Sequence, residues 1–182
     1  LIGAARDEIG MMADMMPGWV NLIPPSMVML FALKDPSIRR DYLRANRRVT
    51  SEGTAISLAR LVSDAVFRRV VAAAADARAA AARQGTGAVS QRPAGTWVYG
   101  FGWRSPLNGW AHHCLDVPFW FDCLNDPAAR VAVGRQPRQD LADAMHGAAV
   151  AFVRGEDPEW PRWSTSRRVT QVRRADPSGA KH

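Results

Sequence analysis

Leu1-Ile2-Gly3-Ala4-Ala5-Arg6-Asp7-Glu8, together with Val98-Tyr99-Gly100-Phe101 further along, decides the fold class. Each stretch is a short run of apolar and small residues with polar groups beyond it. Such runs read as strands that deliver charged or titratable side chains to one edge of a sheet. The first strand ends at Ala5, and Arg6-Asp7-Glu8 lies in the loop beyond it. The second covers residues 96–101, followed by a loop containing Pro106, Asn108 and Gly109 and then by Trp110-Ala111-His112-His113-Cys114-Leu115-Asp116.

Between and after these strands the pattern is helical. Residues 36–44 are mixed and basic and predict a short helix. Residues 55–83 are rich in Ala, Leu and Arg with few breakers, behind capping residues at 51–54, and Asp64 marks an expected break between two helices. Residues 85–95 are polar and glycine-bearing, a loop. The apolar run 117–121 is interrupted by Pro118. Residues 136–154 form the last helix, with Leu141, Met145, Ala149 and Phe152 on one side. Residues 169–172 read as a terminal strand, and the tail 175–182 is expected to fray. No repeat or interdomain linker interrupts residues 1–182, which read as one α/β unit.

Composition narrows the function classes. The formal charge of +7 arises from 24 Lys and Arg against 17 Asp and Glu. The excess is arginine, in clusters at 39–48 and 167–174 that do not interleave aromatics as a single-strand platform would, which argues against nucleic-acid binding. The longest uncharged stretch, residues 15–33, carries Pro17, Asn21, Pro24 and Pro25, so it reads as a buried or pocket-lining segment and not as a membrane span. Cys114 and Cys123 make no disulfide framework or zinc spacing, and buried free thiols are expected. The sequence starts on Leu1 with no signal-peptide pattern, and an upstream portion is expected.

Three constellations bear on chemistry. Glu8, just past a strand, is suited to orienting a histidine and stabilising the charge it acquires as a base. His112 and His113 are the general-base candidates, and in an extended segment neighbouring side chains diverge, so at most one faces a given carboxylate. Neither HExxH nor CxxC occurs, and no metal site is expected. No G-x-S-x-G elbow, HGGG-like oxyanion segment, GxGxxG fingerprint or phosphate loop occurs either, so this chain offers no identifiable nucleophile and no cofactor site.

In combination these stretches resemble the C-terminal region of the type B carboxylesterases, the α/β-hydrolase family that includes para-nitrobenzyl esterases and cholinesterases. Leu1 to Glu8 is similar to the family segment bearing the triad acid. The run VYGFGWRSPLNGWAHHCLDVPFWF, residues 98–121, is similar to the strand and loop in which the catalytic histidine precedes a Glu-x-Pro-Phe segment by three residues, here with Asp116 in place of glutamate. The closing run at 141–154, with Gly155-Glu156-Asp157-Pro158 and Trp160-Pro161, resembles the family's last helix and turns, and residues 62–67 match its crossing helix more loosely. Departures occur where Ile9 separates Glu8 from Gly10, where Trp110 replaces a glycine, and where Glu156 enlarges the Gly-Asp-Pro turn.

The resemblance implies the C-terminal part of an α/β-hydrolase fold, with an incomplete central sheet and packed helices. It implies carboxylic ester hydrolysis by a Ser-Glu-His triad in which this chain supplies Glu8 as acid and His113 as base, the acid preceding the base as in that class. The serine and oxyanion hole would come from an N-terminal portion, on the same parent chain or as a separate subunit, and the chain alone would be inactive. Met12, Met15 and Trp19, with Met11 and Met16, either line an acyl or alcohol pocket for a small ester or pack as core, and Trp110 would narrow the entrance beside His113. The rival reading is a non-catalytic remnant or a basic interaction module.

Overall fold

The computed structural model describes residues 1–84, 95–164 and 171–173. The expected loop at 85–94, the beginning of the terminal strand at 169–170 and the tail at 175–182 lie outside these residues. The architecture is α/β, an open sheet flanked by packed helices. Strands β1 (Ile2–Ala5), β2 (Val98–Phe101) and β3 (Gln171–Arg173) are parallel, in the order β1-β2-β3. Ile2 lies opposite Val98 and Ala5 opposite Phe101, so both strands release their chains at the same edge. Gly3 makes this pairing possible, because a Cβ there would collide with the ring of Tyr99.

Parallel neighbours require a long crossover. Between β1 and β2 it is made of α1 (Met12–Met15), a 3-10 turn (Gly18–Leu22), α2 (Pro25–Ala32), α3 (Pro36–Ala45), α4 (Arg47–Ser51), α5 (Thr54–Ser63) and α6 (Arg69–Gln84). Asp35 caps α3 by accepting from the Ser37 and Ile38 backbone amides. Between β2 and β3 run α7 (Val117–Trp120), α8 (Pro127–Val133) and α9 (Gln139–Val153). Pro118 does not interrupt an extended run but stands in the first turn of α7, where no amide hydrogen is needed.

Asp64 proves not to separate two helices. α5 continues into α6 through a π-helical turn, Asp64–Arg68. Asp64 anchors that turn, accepting from the Tyr42 hydroxyl at 2.8 Å and from Arg68 at 3.0 Å. Such widened turns accommodate an extra residue without ending the helix, and here the turn lies against β1 and the site.

The largest core sits on one side of β2, where Phe101 meets Leu115, Phe119, Leu124 and Val133 and the inner face of α9. That face is Leu141, Ala142, Met145 and Ala148, one step round from the expected stripe, with Phe152 meeting Trp97 edge-on at 5.9 Å. Of the expectation that residues 15–33 are buried or line a pocket, burial holds for Met29 but not for most of the segment. Met15, Trp19, Leu22, Met27, Leu30 and Phe31 are exposed, and Met29 alone among the large side chains of α2 is fully buried. The reason is that α2 turns only one side toward α5 and α3, leaving its i, i+3, i+4 stripe outward. Replacing Met29 with Ala is therefore expected to cost about 2–5 kcal/mol. Phe31→Ser is expected to change stability by about 0.5 kcal/mol or less, as befits a surface position. Urea unfolding of the two variants compares them directly.

No helix of the described residues is long and apolar enough to cross a membrane. Both thiols are free, but neither is buried as expected: Cys114 is exposed and Cys123 half-buried. Cys114 stands in a left-handed turn at φ 61° that carries the chain outward just after His113.

Candidate functional site

The site forms where β1 and β2 end. Their ladder continues past the strands, with Arg6 N–H donating to the Phe101 carbonyl at 2.7 Å, Asp7 N–H to the Ala111 carbonyl at 3.0 Å and His113 N–H to the Glu8 carbonyl at 3.1 Å. These bonds lace the acid loop to the histidine loop, although 105 residues separate the side chains in sequence. His113 Nδ1 lies 2.7 Å from Glu8 Oε2. The other carboxylate oxygen, Oε1, accepts from Ala5 N–H at 2.6 Å.

Burial differs across the pair in a chemically useful way. Glu8 is 6% exposed, and its two oxygens are committed to an amide and an imidazole. The His113 side chain is 62% exposed. With Glu8 ionised and Nδ1 carrying the proton, Nε2 is left as the acceptor. Phe67, from the π turn, packs on the imidazole with ring centroids 5.5 Å apart. His112, as expected of a neighbour, turns elsewhere: its Nδ1 lies 2.9 Å from the His113 carbonyl and does not meet Glu8.

Asp7 is buried beside Glu8 but serves different partners. Its carboxylate pairs with Arg60 Nη2, accepts from Ala111 N–H at 3.4 Å and lies 3.8 Å from Arg104 Nε. Arg60 also donates through Nη1 to the Arg6 carbonyl. Nothing in the sequence singles Arg60 out, since an arginine in a helix normally faces water. A polar side chain at an otherwise small-residue face, Ala55–Ala59–Ser63, is the one available signal.

The expected pocket residues fall into two groups. Met12, Met15 and Trp19 are exposed, as is Met11. Trp110 is 8% exposed and packs with Ala13, Ala55 and Ala59. Its indole N–H donates to Asp14 at 2.7 Å, and its ring lies so close to Gly10 that a Cβ there would approach within 2.6 Å. Gly10 thus admits Trp110 beneath the loop. Asp116 is buried and accepts from the Tyr99 hydroxyl at 2.7 Å, which ties the end of the histidine loop to β2.

Among the described residues no cluster of three His, Cys, Asp or Glu side chains has the arrangement of a metal site. A cleft of about 800 Å³ opens against β1, β2 and the π turn, lined in part by Arg48, Arg68 and Arg69, but neither Glu8 nor His113 lines it. No family model matches the sequence.

The two tyrosines provide a pH test of the packing around the site. Burial, followed by the nearby Asp116 carboxylate, pushes the Tyr99 phenol well above its usual value of about 10; burial and then Asp64 do the same to Tyr42. A raised folded-state pKa means that the unfolded chain loses these protons first, so the contribution is complete below about pH 10 and declines as pH rises further. The native protein is therefore expected to show no tyrosinate absorbance at 295 nm until it unfolds in strong alkali. A phenol titrating near pH 10 in the folded protein would contradict the packing of at least one tyrosine.

Proposed function

We propose that this chain is the acid- and base-bearing C-terminal part of a serine carboxylesterase, acting on small carboxylic esters together with a serine-bearing N-terminal portion. The observation that carries the reading is the Glu8–His113 hydrogen bond, between a buried carboxylate held by a backbone amide and a largely exposed imidazole. The order acid then base, the delivery of both from strand ends, and the sequence resemblance support it.

In the proposed reaction, His113 Nε2 takes the proton of the serine hydroxyl as its oxygen attacks the ester carbonyl. Glu8 stays ionised, holds Nδ1–H and stabilises the imidazolium. His113 then returns the proton to the departing alcohol, and water repeats the sequence on the acyl-enzyme. Backbone amides of the serine-bearing portion would form the oxyanion hole. The exposed Met12, Met15 and Trp19 offer thioether and indole surface to an acyl or alcohol group, while Trp110 supports the loop from beneath.

The test is hydrolysis of para-nitrophenyl butyrate by this chain alone and by this chain together with the portion encoded upstream. The reading requires turnover only in the second case, with loss of turnover in Glu8→Gln. An upstream sequence without a serine nucleophile, or turnover indifferent to Glu8, overturns it.

A further inference from the structure

We infer that Asp7 and Arg60 are positioning residues for the Glu8–His113 pair, an ion-paired clamp that fixes the spacing of the two loops and thereby the tautomer of His113. The inference rests on the proposed esterase reading and deepens it. Asp7 and Glu8 are adjacent, yet their carboxylates hold different partners. Glu8 reaches Ala5 N–H and His113, whereas Asp7 reaches Arg60 and Ala111 N–H. Ala111 stands two residues before His113, and it both donates to the Asp7 side chain and accepts from the Asp7 amide, so the clamp holds the histidine loop as well as the acid loop.

Arg60 supplies the fixed point. From α5, a helix outside both loops, its guanidinium spans the Arg6 carbonyl with Nη1 and Asp7 Oδ1 with Nη2. A planar fork that engages main chain and side chain together resists rotation of the loop in a way that an ammonium does not. The cavity shared by Asp7, Arg60, Ser63 and Trp110 has a volume of about 10 Å³, room for about one water, while Arg6 and Arg60 also line the larger cleft. Ser63, itself fully buried, accepts from Ile9 N–H at 3.3 Å and pins the far end of the acid loop to the same helix.

The consequence for chemistry is specific. A histidine that acts as base through Nε2 must carry its neutral-state proton on Nδ1, whereas an unconstrained histidine side chain in water prefers Nε2–H. The 2.7 Å bond to Glu8 selects the first form, and it survives only while the two loops keep their spacing. Loosening the clamp releases His113 toward the tautomer that cannot accept the serine proton, without altering Glu8 or His113.

Nitrogen-15 imidazole NMR on the full chain, at a pH where its histidines are neutral, reads the tautomer without any activity assay; His113 is assigned from the His113→Gln spectrum. The wild-type chain is expected to hold His113 as Nδ1–H, and Glu8→Gln to lose that form. Arg60→Lys is expected to convert His113 largely to Nε2–H. The double substitution Asp7→Leu with Arg60→Met leaves no unpaired buried charge and so guards against simple unfolding; it is expected to convert His113 in the same way. If Glu8→Gln loses Nδ1–H while folded Arg60→Lys and the apolar pair keep it, the clamp is overturned and the acid–base pair stands. If the wild type shows no preference for Nδ1–H, both are overturned.

Discussion

His113→Ala, made in the proposed assembly with a serine-bearing portion, is expected to lower kcat by about 10⁴-fold or more, because the proposed triad stripped of its base would retain only binding and oxyanion stabilisation. His112→Ala is the matched control. Its ring addresses the His113 carbonyl and not Glu8, so it is expected to keep kcat within about tenfold of the unaltered protein. Steady-state hydrolysis of a para-nitrophenyl ester measures both. Small and equal effects would mean that the imidazole beside Glu8 does not move the proton. The distinction is sharp because the two histidines are sequence neighbours, and a merely local disturbance would touch them alike.

The second large effect concerns stability. Arg60→Ala removes the buried partner of the 4% exposed Asp7 carboxylate and leaves it the partly exposed Arg104 and Arg6 at 3.8 and 4.0 Å, and breaking a buried pair in this one-sided way costs about 3–5 kcal/mol. For a protein of this size that corresponds to a fall in Tm of about 6–20 °C. Thermal unfolding followed by tryptophan fluorescence is a suitable probe, since Trp110 lies directly against this part of the core. Arg138→Ala, which removes an exposed pair with Asp140, is expected to leave Tm unchanged. Similar melting of the two variants would show that Arg104 and water compensate Asp7 fully.

Much of this site is legible in the sequence because strand ends are local features. An apolar run followed by Arg6-Asp7-Glu8 places charged groups at a sheet edge, and the expectation that only one of two neighbouring histidines meets a carboxylate agrees with the contacts, although His113 stands in a turn and not in extended backbone. Which of them does so is not fixed by that argument; the resemblance assigns His113, and the 2.7 Å contact with Glu8 is made by His113. Arg60 was invisible for the opposite reason. Its burial depends on Asp7, 53 residues earlier, and the small-residue face Ala55–Ala59–Ser63 beside it is a faint local sign at most.

The misjudged segments have similar physical causes. Asp64 interrupts the helical pattern, but pattern alone does not distinguish a break from a π turn; the hydroxyl of Tyr42 and the guanidinium of Arg68, both converging on Asp64, are tertiary and side-chain facts that secure the turn. The apolar character of residues 15–33 pointed to burial, yet burial requires a neighbouring surface, and α2 offers only Met29 to one. Cys114 is small and apolar enough for a core, but the left-handed turn after His113 carries it outward. In each case composition described the side chain, and the packing of distant elements decided where it went.

Whether Glu8 and His113 serve a serine on another stretch of polypeptide, as proposed, is read from the intact mass of the native species containing this sequence, before and after treatment with a fluorophosphonate. The expected result is a species well above 20.0 kDa that gains one adduct on a serine outside these 182 residues. A lone species near 20.0 kDa that gains none would contradict it.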